Sequence, residues 1–393
     1  MLDLPITVEC RLSGEALKGA AQLFEIPDAP LPGIYPEDRQ ESLGLRTPLR
    51  VVQAQRSRLV QLAHRFNPDL YRRYAFAGAT SKGYAAYLQT FAQRMARRFP
   101  PQAAILEVGC GDGSLVRMAR SLGFADTTGI DPGLSAQQSD SSTRLIQGFF
   151  PQDLPPGQRS RRYDLIVLRH VLEHVEEPRA FVASLAAHLK ETGELWIEVP
   201  DLESTVRGEY WSNFYQLHCN YFEAATLDAL LREPGLECGH GEVVEVFGGS
   251  LLRQYRFGSG GVPAMPNQWH GLADGVEAFK RKLNALAAVM PEDCAGYGAA
   301  ERTAVTLGFC PALEKMLARI YDGNPLLAGR FLAGTTIPID GKDKLFERPP
   351  AGLLLFAISH EREILEEWKA RLPLDVCVGV VGRDFTCKPL QAC

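Results

Sequence analysis

Three glycines at alternate positions, Gly109, Gly111 and Gly113, follow an apolar run carrying one carboxylate, Glu107, in A-A-I-L-E-V-G-C-G-D-G-S-L-V (103–116). Glycine reaches backbone conformations closed to other residues, so a ligand can come close to the main chain at such a turn. The helix that follows opens with unpaired N–H groups. A second apolar run, T-T-G-I-D-P, ends in Asp131, a carboxylate suited to ribose hydroxyls. Together these features grip a nucleoside. The dinucleotide fingerprint is G-x-G-x-x-G, whereas this loop reads G-x-G-x-G with Asp112 inside the turn. A carboxylate there would repel a pyrophosphate and suits a cationic or amino-acid group. A nicotinamide or flavin nucleotide and a purely structural turn are the alternatives.

Two later segments hold histidines with chemical promise. In R-H-V-L-E-H-V-E-E-P (169–178), the part H-V-L-E-H taken alone matches the H-x-x-E-H of inverted zinc proteases, with His170 and His174 one helical turn apart. Here it follows directly on a strand, with Pro178 close behind. The better placement is the carboxyl end of a central strand, where open α/β sheets bind ligands. His174 then faces a substrate, or is satisfied in packing. In Y-W-S-N-F-Y-Q-L-H-C-N-Y-F (210–222), Tyr215 and Tyr221 flank His218 at i−3 and i+3. On a helix the three would share a face. A neutral imidazole beside tyrosine hydroxyls is a candidate general base; the alternative is an aromatic cluster covering the sheet.

Elements must hold these residues in place. Strands are expected near 104–109, 126–131, 143–147, 163–168 and 193–199, and helices over 114–122, 175–190 and 224–232. That alternation is the mark of a parallel sheet with crossover helices. Glu242 to Phe257 reads as a closing antiparallel hairpin, and Gly258-Ser259-Gly260-Gly261 as a boundary. A helix over 271–290 leads into a second α/β unit containing A-G-Y-G-A-A-E-R and A-G-L-L-L-F-A-I. There Gly296 and Gly298 either cradle a phosphate or make a tight turn. Upstream lie a proline-rich leader and, from Asn67 to Pro100, a helical, aromatic stretch with Tyr71, Tyr74, Phe76, Tyr84, Tyr87 and Phe91.

A chain of 393 residues is long for one core and suggests two or three domains. A net charge of −5 and the lack of a long basic run exclude an electrostatic footprint for nucleic acid. The start lacks the pattern of a signal peptide, and no apolar stretch approaches the ~18 residues that span a bilayer. Nine scattered cysteines without a C-x-x-C pair read as reduced thiols in a cytoplasm. A small-molecule substrate and a monomer or homodimer are expected.

The E-x-G-x-G-x-G loop resembles that of the class I methyltransferases, whose cofactor, S-adenosylmethionine, carries a sulfonium and an ammonium. The order of segments further resembles the C-methyltransferases that act on nucleotide-linked keto-deoxysugars. The resemblance rests on E-V-G-C-G-D-G, R-H-V-L-E-H-V-E-E-P, I-E-V-P-D-L-E, Y-Q-L-H-C-N-Y-F, G-G-S-L-L-R-Q-Y, G-Y-G-A-A-E-R and G-R-F-L-A-G-T-T-I-P-I, in that order. It implies an α/β fold: a small N-terminal domain related to a zinc-binding one (1–66), a doubly wound methyltransferase domain (67–258), a linker and helix (259–290), and a Rossmann-like C-terminal domain (291–393). It implies that S-adenosylmethionine is held by Glu107, Gly109, Gly111, Asp112, Gly113, Asp131, Pro132, Phe149, Arg169 and His170. Catalysis would fall to His218, Tyr215, His174 and Tyr221.

The departures are specific. The family's N-terminal domain holds zinc through two cysteine pairs, but here Cys10 stands with Ser13, Ala54 and Ser57. One thiolate cannot hold a tetrahedral structural zinc, so no metal is expected. The family's Y-x-E-H segment keeps Tyr215 and His218, but Leu217 replaces the acid; in H-x-G-G-S, Phe247 takes the histidine's place. A C-methylation needs a base to form an enolate. An O- or N-methyltransferase would tolerate the lost acid better, and a non-catalytic binder of S-adenosylmethionine or a nucleotide sugar is the third reading.

Overall fold

The structure, a computed structural model, describes residues 7, 9–65, 82–134, 144–259, 261, 264–382 and 385–393. Tyr71, Tyr74 and Phe76 of the expected aromatic stretch lie outside the described residues. The N-terminal part holds β1 (Ala21–Pro30), a short helix α1 (Arg39–Gly44), β2 (Arg46–Gln53) and β3 (Val60–Leu62). Along β2, Thr47, Leu49 and Val51 alternate inward, the period-2 signature of a sheet with one buried face. The turns that carry zinc ligands in the resembled family are closed here by a carboxylate. Glu15 accepts hydrogen bonds from the backbone N–H groups of Arg56 (3.0 Å) and Ser57 (2.8 Å), and Cys10 Sγ lies 3.1 Å from Ser57 Oγ.

Next come α2 (Lys82–Arg98), β4 (Ile105–Val108), α3 (Ser114–Ser121), β5 (Thr127–Asp131), β6 (Leu145–Gln147) and β7 (Tyr163–Arg169). They are followed by α4 (Pro178–Ala187), β8 (Leu189–Pro200), α5 (Leu202–Arg207), β9 (Asn220–Tyr221) and α6 (Ala224–Arg232). The antiparallel hairpin β10 (Leu236–Val244) and β11 (Ser250–Phe257) completes this part. The central sheet runs β10-β11-β8-β7-β4-β5-β6. Its five strands from β8 to β6 are parallel, and β4 and β7 are nearly continuous buried apolar runs, as helices on both faces demand. From β4 the chain winds outward to β5 and β6, then returns to β7 on the other side. The carboxyl ends of β4 and β7 therefore flank a topological switch point.

One expectation needs correcting here. The helix expected over 175–190 begins only at Pro178, and β8 takes over at Leu189. Proline at the first helical turn sets that start. Strand β9 does not join the central sheet; it pairs with β3 and completes the N-terminal sheet β1-β2-β3-β9.

The helix α7 (Leu272–Val289) leads to β12 (Cys294–Tyr297), α8 (Glu301–Phe309), α9 (Pro311–Met316), β13 (Leu317–Asp322) and β14 (Ile339–Gly341). Then follow α10 (Asp343–Glu347), β15 (Gly352–Leu355), α11 (Glu361–Arg371), β16 (Cys377–Val380) and β17 (Cys387–Pro389). This sheet runs β14-β13-β12-β15-β16-β17, parallel except for β17. One apolar core joins the N-terminal sheet to α7 and α8, through Leu49, Val51, Val276, Leu283 and Phe309. The antiparallel β16–β17 pairing also brings Cys377 and Cys387 together as a disulfide (Cα–Cα 5.9 Å), where the sequence suggested free thiols throughout. No described helix is long and apolar enough to cross a membrane.

Candidate functional site

At the end of β4 the backbone turns through Gly109 (φ +75°), Gly111 (φ +56°) and Gly113 (φ +80°), the left-handed region where a side chain costs energy. Space enforces the first of these: a Cβ on Gly109 would stand 2.0 Å from Val171 Cγ2. Asp131, closing β5, stitches the loop down by accepting from the N–H groups of Gly111 (2.9 Å) and Gly133 (2.7 Å). Each of its oxygens has a second lone pair left for a ligand, and burial pushes its carboxyl pKa up against those two bonds. Asp112 accepts from Ser114 N and Ser114 Oγ, both 2.9 Å, so it fixes the start of α3 while facing the cleft.

Below the loop lies a buried ionic layer. Glu107 takes one hydrogen bond from Arg169 (3.1 Å), and burial raises its carboxyl to about 7 despite that cation. Arg169 also donates to the Tyr84 hydroxyl (3.1 Å) and sits over the Tyr84 and Phe91 rings. His170, held at φ +51°, has Nε2 3.0 Å from Glu198 and Nδ1 3.4 Å from Glu173. Burial alone would lower its pKa, but the two carboxylates bring it up to about 9. Tyr87 donates to the other oxygen of Glu198 (2.7 Å).

The same cleft, about 1510 Å³, continues to the histidines. His174 Nδ1 lies 2.8 Å from the Leu217 carbonyl, and His218 Nδ1 lies 3.0 Å from the Asn213 carbonyl. Their ring centroids are 4.9 Å apart, and Tyr215 packs on His218 at 4.0 Å. Burial, with His174 and His170 adding to it, pushes the His218 pKa well below its usual value, leaving a neutral imidazole. Phe247, at the hairpin tip, packs on Tyr84 and on the edge of His170 (5.2 and 4.9 Å). From the C-terminal unit, Glu301, Arg302, Asn324 and Arg330 form the opposite wall, and Arg302 donates to the Phe247 carbonyl (2.7 Å).

Residues 77–241 match the family described as "Methyltransferase domain", and residues 264–373 that described as "C-methyltransferase C-terminal domain". The chain is an S-adenosylmethionine-dependent methyltransferase. The C-methyltransferase NovU of Streptomyces niveus is 22% identical over 392 residues, covering 92% of each chain. A ubiquinone biosynthesis O-methyltransferase of Rickettsia felis is 30% identical over 93 residues, 23% of this chain and 38% of that protein. An S-adenosylmethionine-dependent methyltransferase from Clostridium acetobutylicum overlays with a TM-score of 0.36 at 13% identity, covering 46% of this chain and 94% of that one.

The loop of this methyltransferase suits its cofactor chemically. The charged side chains of the loop and the following strand end, Asp112 and Asp131, are both carboxylates. That favours a ligand with positive charge and hydroxyls over a pyrophosphate. The structure brings Gly109, Gly111, Asp112, Asp131, Pro132, Phe149, Arg169 and His170 to one wall of the cleft, with His174, Tyr215 and His218 further along. Gly113 sits where α3 begins, facing Leu145. Glu107 is not on the cleft surface; it lies beneath the loop with Arg169.

Tyr221 departs from expectation, and so does the shared helix. Residues 211–213 form a single 3₁₀ turn, His218 N bonds the Tyr215 carbonyl in a further turn, and Tyr221 lies on β9. There Tyr221 donates to the Tyr215 carbonyl (3.3 Å) and does not line the cleft. Leu217 also points away, into the core shared with the N-terminal sheet. The carboxylate beside the histidines is Glu173, which the sequence reading passed over. It is 1% exposed and lines the cleft, with one oxygen, one nitrogen of His174 and one of His218 all within 4.8 Å of one another.

Proposed function

We propose that this methyltransferase methylates a carbon next to the ketone of a nucleotide-linked keto-deoxysugar, as a cytoplasmic enzyme of secondary-metabolite or glycan biosynthesis. The observation that carries the proposal is that a neutral, oriented imidazole, His218, opens onto the same cleft as the cofactor loop. When bound, S-adenosylmethionine supplies an electrophilic methyl group, and the main chain of 109–113 with Asp112, Asp131, Pro132 and Phe149 holds it. The protein must then make a carbon nucleophile. His218 takes the proton from the carbon next to the ketone, and the electron pair of that C–H bond moves toward the carbonyl oxygen. Its Nδ1 is spent on the Asn213 carbonyl, which leaves Nε2 for the proton. Tyr215 holds the imidazole plane by packing, and His174 lines the same end.

Arg302 and Arg330 on the C-terminal wall favour an acceptor bearing phosphate. Positioning dominates such an in-line transfer, since orientation is worth on the order of 7–11 kcal/mol. An O-methylation is the second reading, favoured by the likeness to ubiquinone biosynthesis O-methyltransferases over about a quarter of the chain. Release of S-adenosylhomocysteine across a panel of nucleotide-linked keto sugars tests the proposal. In deuterated solvent, the acceptor should gain deuterium at the carbon beside the ketone, and His218→Ala should abolish both signals. Turnover confined to hydroxyl acceptors would replace the proposal with its alternative.

A further inference from the structure

The geometry points to Glu173 as the positioning residue that stabilises the protonated state of His218, the role that the resembled family's Y-x-E-H segment gives to the acid whose place Leu217 takes here. The inference rests on the reading of His218 as the base. Leu217 faces the apolar core, so the absence of a carboxylate there does not by itself leave the base unsupported. Glu173 follows from the other side of the cleft. It stands on the short 3₁₀ turn Leu172–His174 and is 1% exposed, and neither carboxylate oxygen has a hydrogen-bond partner among the described residues. A buried carboxylate without a hydrogen bond is costly, and a catalytic role is one explanation for such a group. Its nearest cation is His170, whose Nδ1 lies 3.4 Å from Oε1 while its Nε2 is engaged by Glu198. One oxygen of Glu173 stands within 4.8 Å of a nitrogen of His174 and of a nitrogen of His218.

Charge balance explains the benefit. As His218 takes the proton from the acceptor carbon, it becomes an imidazolium beside two other histidines, in a site that burial makes hostile to cations. The C–H electron pair moves to the acceptor oxygen, so a positive charge appears on the ring and a negative one on the substrate. Glu173 offsets the first without moving. Glutamine at this position keeps the volume and removes the charge.

Glu173→Gln is therefore expected to lower kcat on the order of 10²-fold, while KM for the acceptor and the affinity for S-adenosylmethionine stay within about threefold. The acid limb of the kcat/KM profile should move, and Glu173→Asp should recover part of the rate. In the acceptor-free protein, histidine-labelled NMR should show the His218 titration displaced to lower pH by Glu173→Gln. A kcat within threefold of wild type, or an unmoved His218 titration, overturns the inference. So does loss of activity on chelation with recovery on adding a divalent cation, because two histidines and a carboxylate are also metal-ligand types. The rate test uses whichever acceptor turns over. A failed sugar panel then counts against the acceptor class, and an unaffected Glu173→Gln rate counts against Glu173.

Discussion

At one end the cleft surface is built on a glycine loop, with Gly109 and Gly111 lining it in left-handed conformations and Asp131 pinning it down. At the other end it is side chain, with histidines from two separate segments fixed by backbone carbonyls of Asn213 and Leu217 and closed by Phe247 and the C-terminal wall. The first end is a rigid geometry that one local stretch specifies. The second is an assembly, and each part has meaning only through a partner distant in sequence. A shared cofactor with a changeable acceptor asks for this division of labour.

Substitutions at the two ends should therefore fail in different ways. Asp131→Ala removes the acceptor of two loop N–H groups together with the proposed ribose partner. We expect S-adenosylmethionine affinity to fall on the order of 10²-fold by calorimetry, about 2.7 kcal/mol; an unchanged affinity would overturn the ribose assignment. Gly109→Ala places a Cβ against Val171 at a positive φ, a cost of about 1–2 kcal/mol for the conformation alone. Cofactor affinity should drop about tenfold, with a lower melting temperature, while the far end keeps its acceptor preference.

The smallest effect on turnover is expected at the ionic layer between the ends. The pKa of His170 is raised to about 9 in the folded protein, above its usual value near 6.5. Its contribution to stability is thus fully present below pH 6.5 and is lost as pH rises through about 9. The size is on the order of 3 kcal/mol. Chemical unfolding at pH 6 and pH 9 should show this loss in the wild type and not in His170→Gln. Equal slopes in the two proteins would remove His170 from the account.

The same division explains what could be read from the sequence. The glycine loop, Asp131 and the strand–helix alternation were legible because backbone conformation and buried apolar runs leave residue types at fixed spacing. The Tyr215–His218–Tyr221 segment has helical spacing, but the backbone closes into successive turns and then enters β9, so Tyr221 falls behind the cleft. Glu173 lies close to Glu176 and Glu177, and nothing in its spacing sets it apart. Its lack of a hydrogen-bond partner among the described residues and its closeness to His218 arise only after residues 213–218 fold against the carboxyl end of β7. Leu217 misled for the same reason, since its position in the motif does not reveal that its side chain enters the core. The disulfide depended on strand register that cysteine spacing alone does not convey.

The most direct test is a crossed measurement of S-adenosylmethionine affinity and kcat in Asp131→Ala and His218→Ala, using one acceptor. The account predicts separation. Asp131→Ala weakens cofactor binding and leaves kcat at saturating cofactor within a fewfold, whereas His218→Ala abolishes turnover with cofactor affinity intact. Turnover retained in His218→Ala, or a parallel loss of cofactor affinity there, would contradict it.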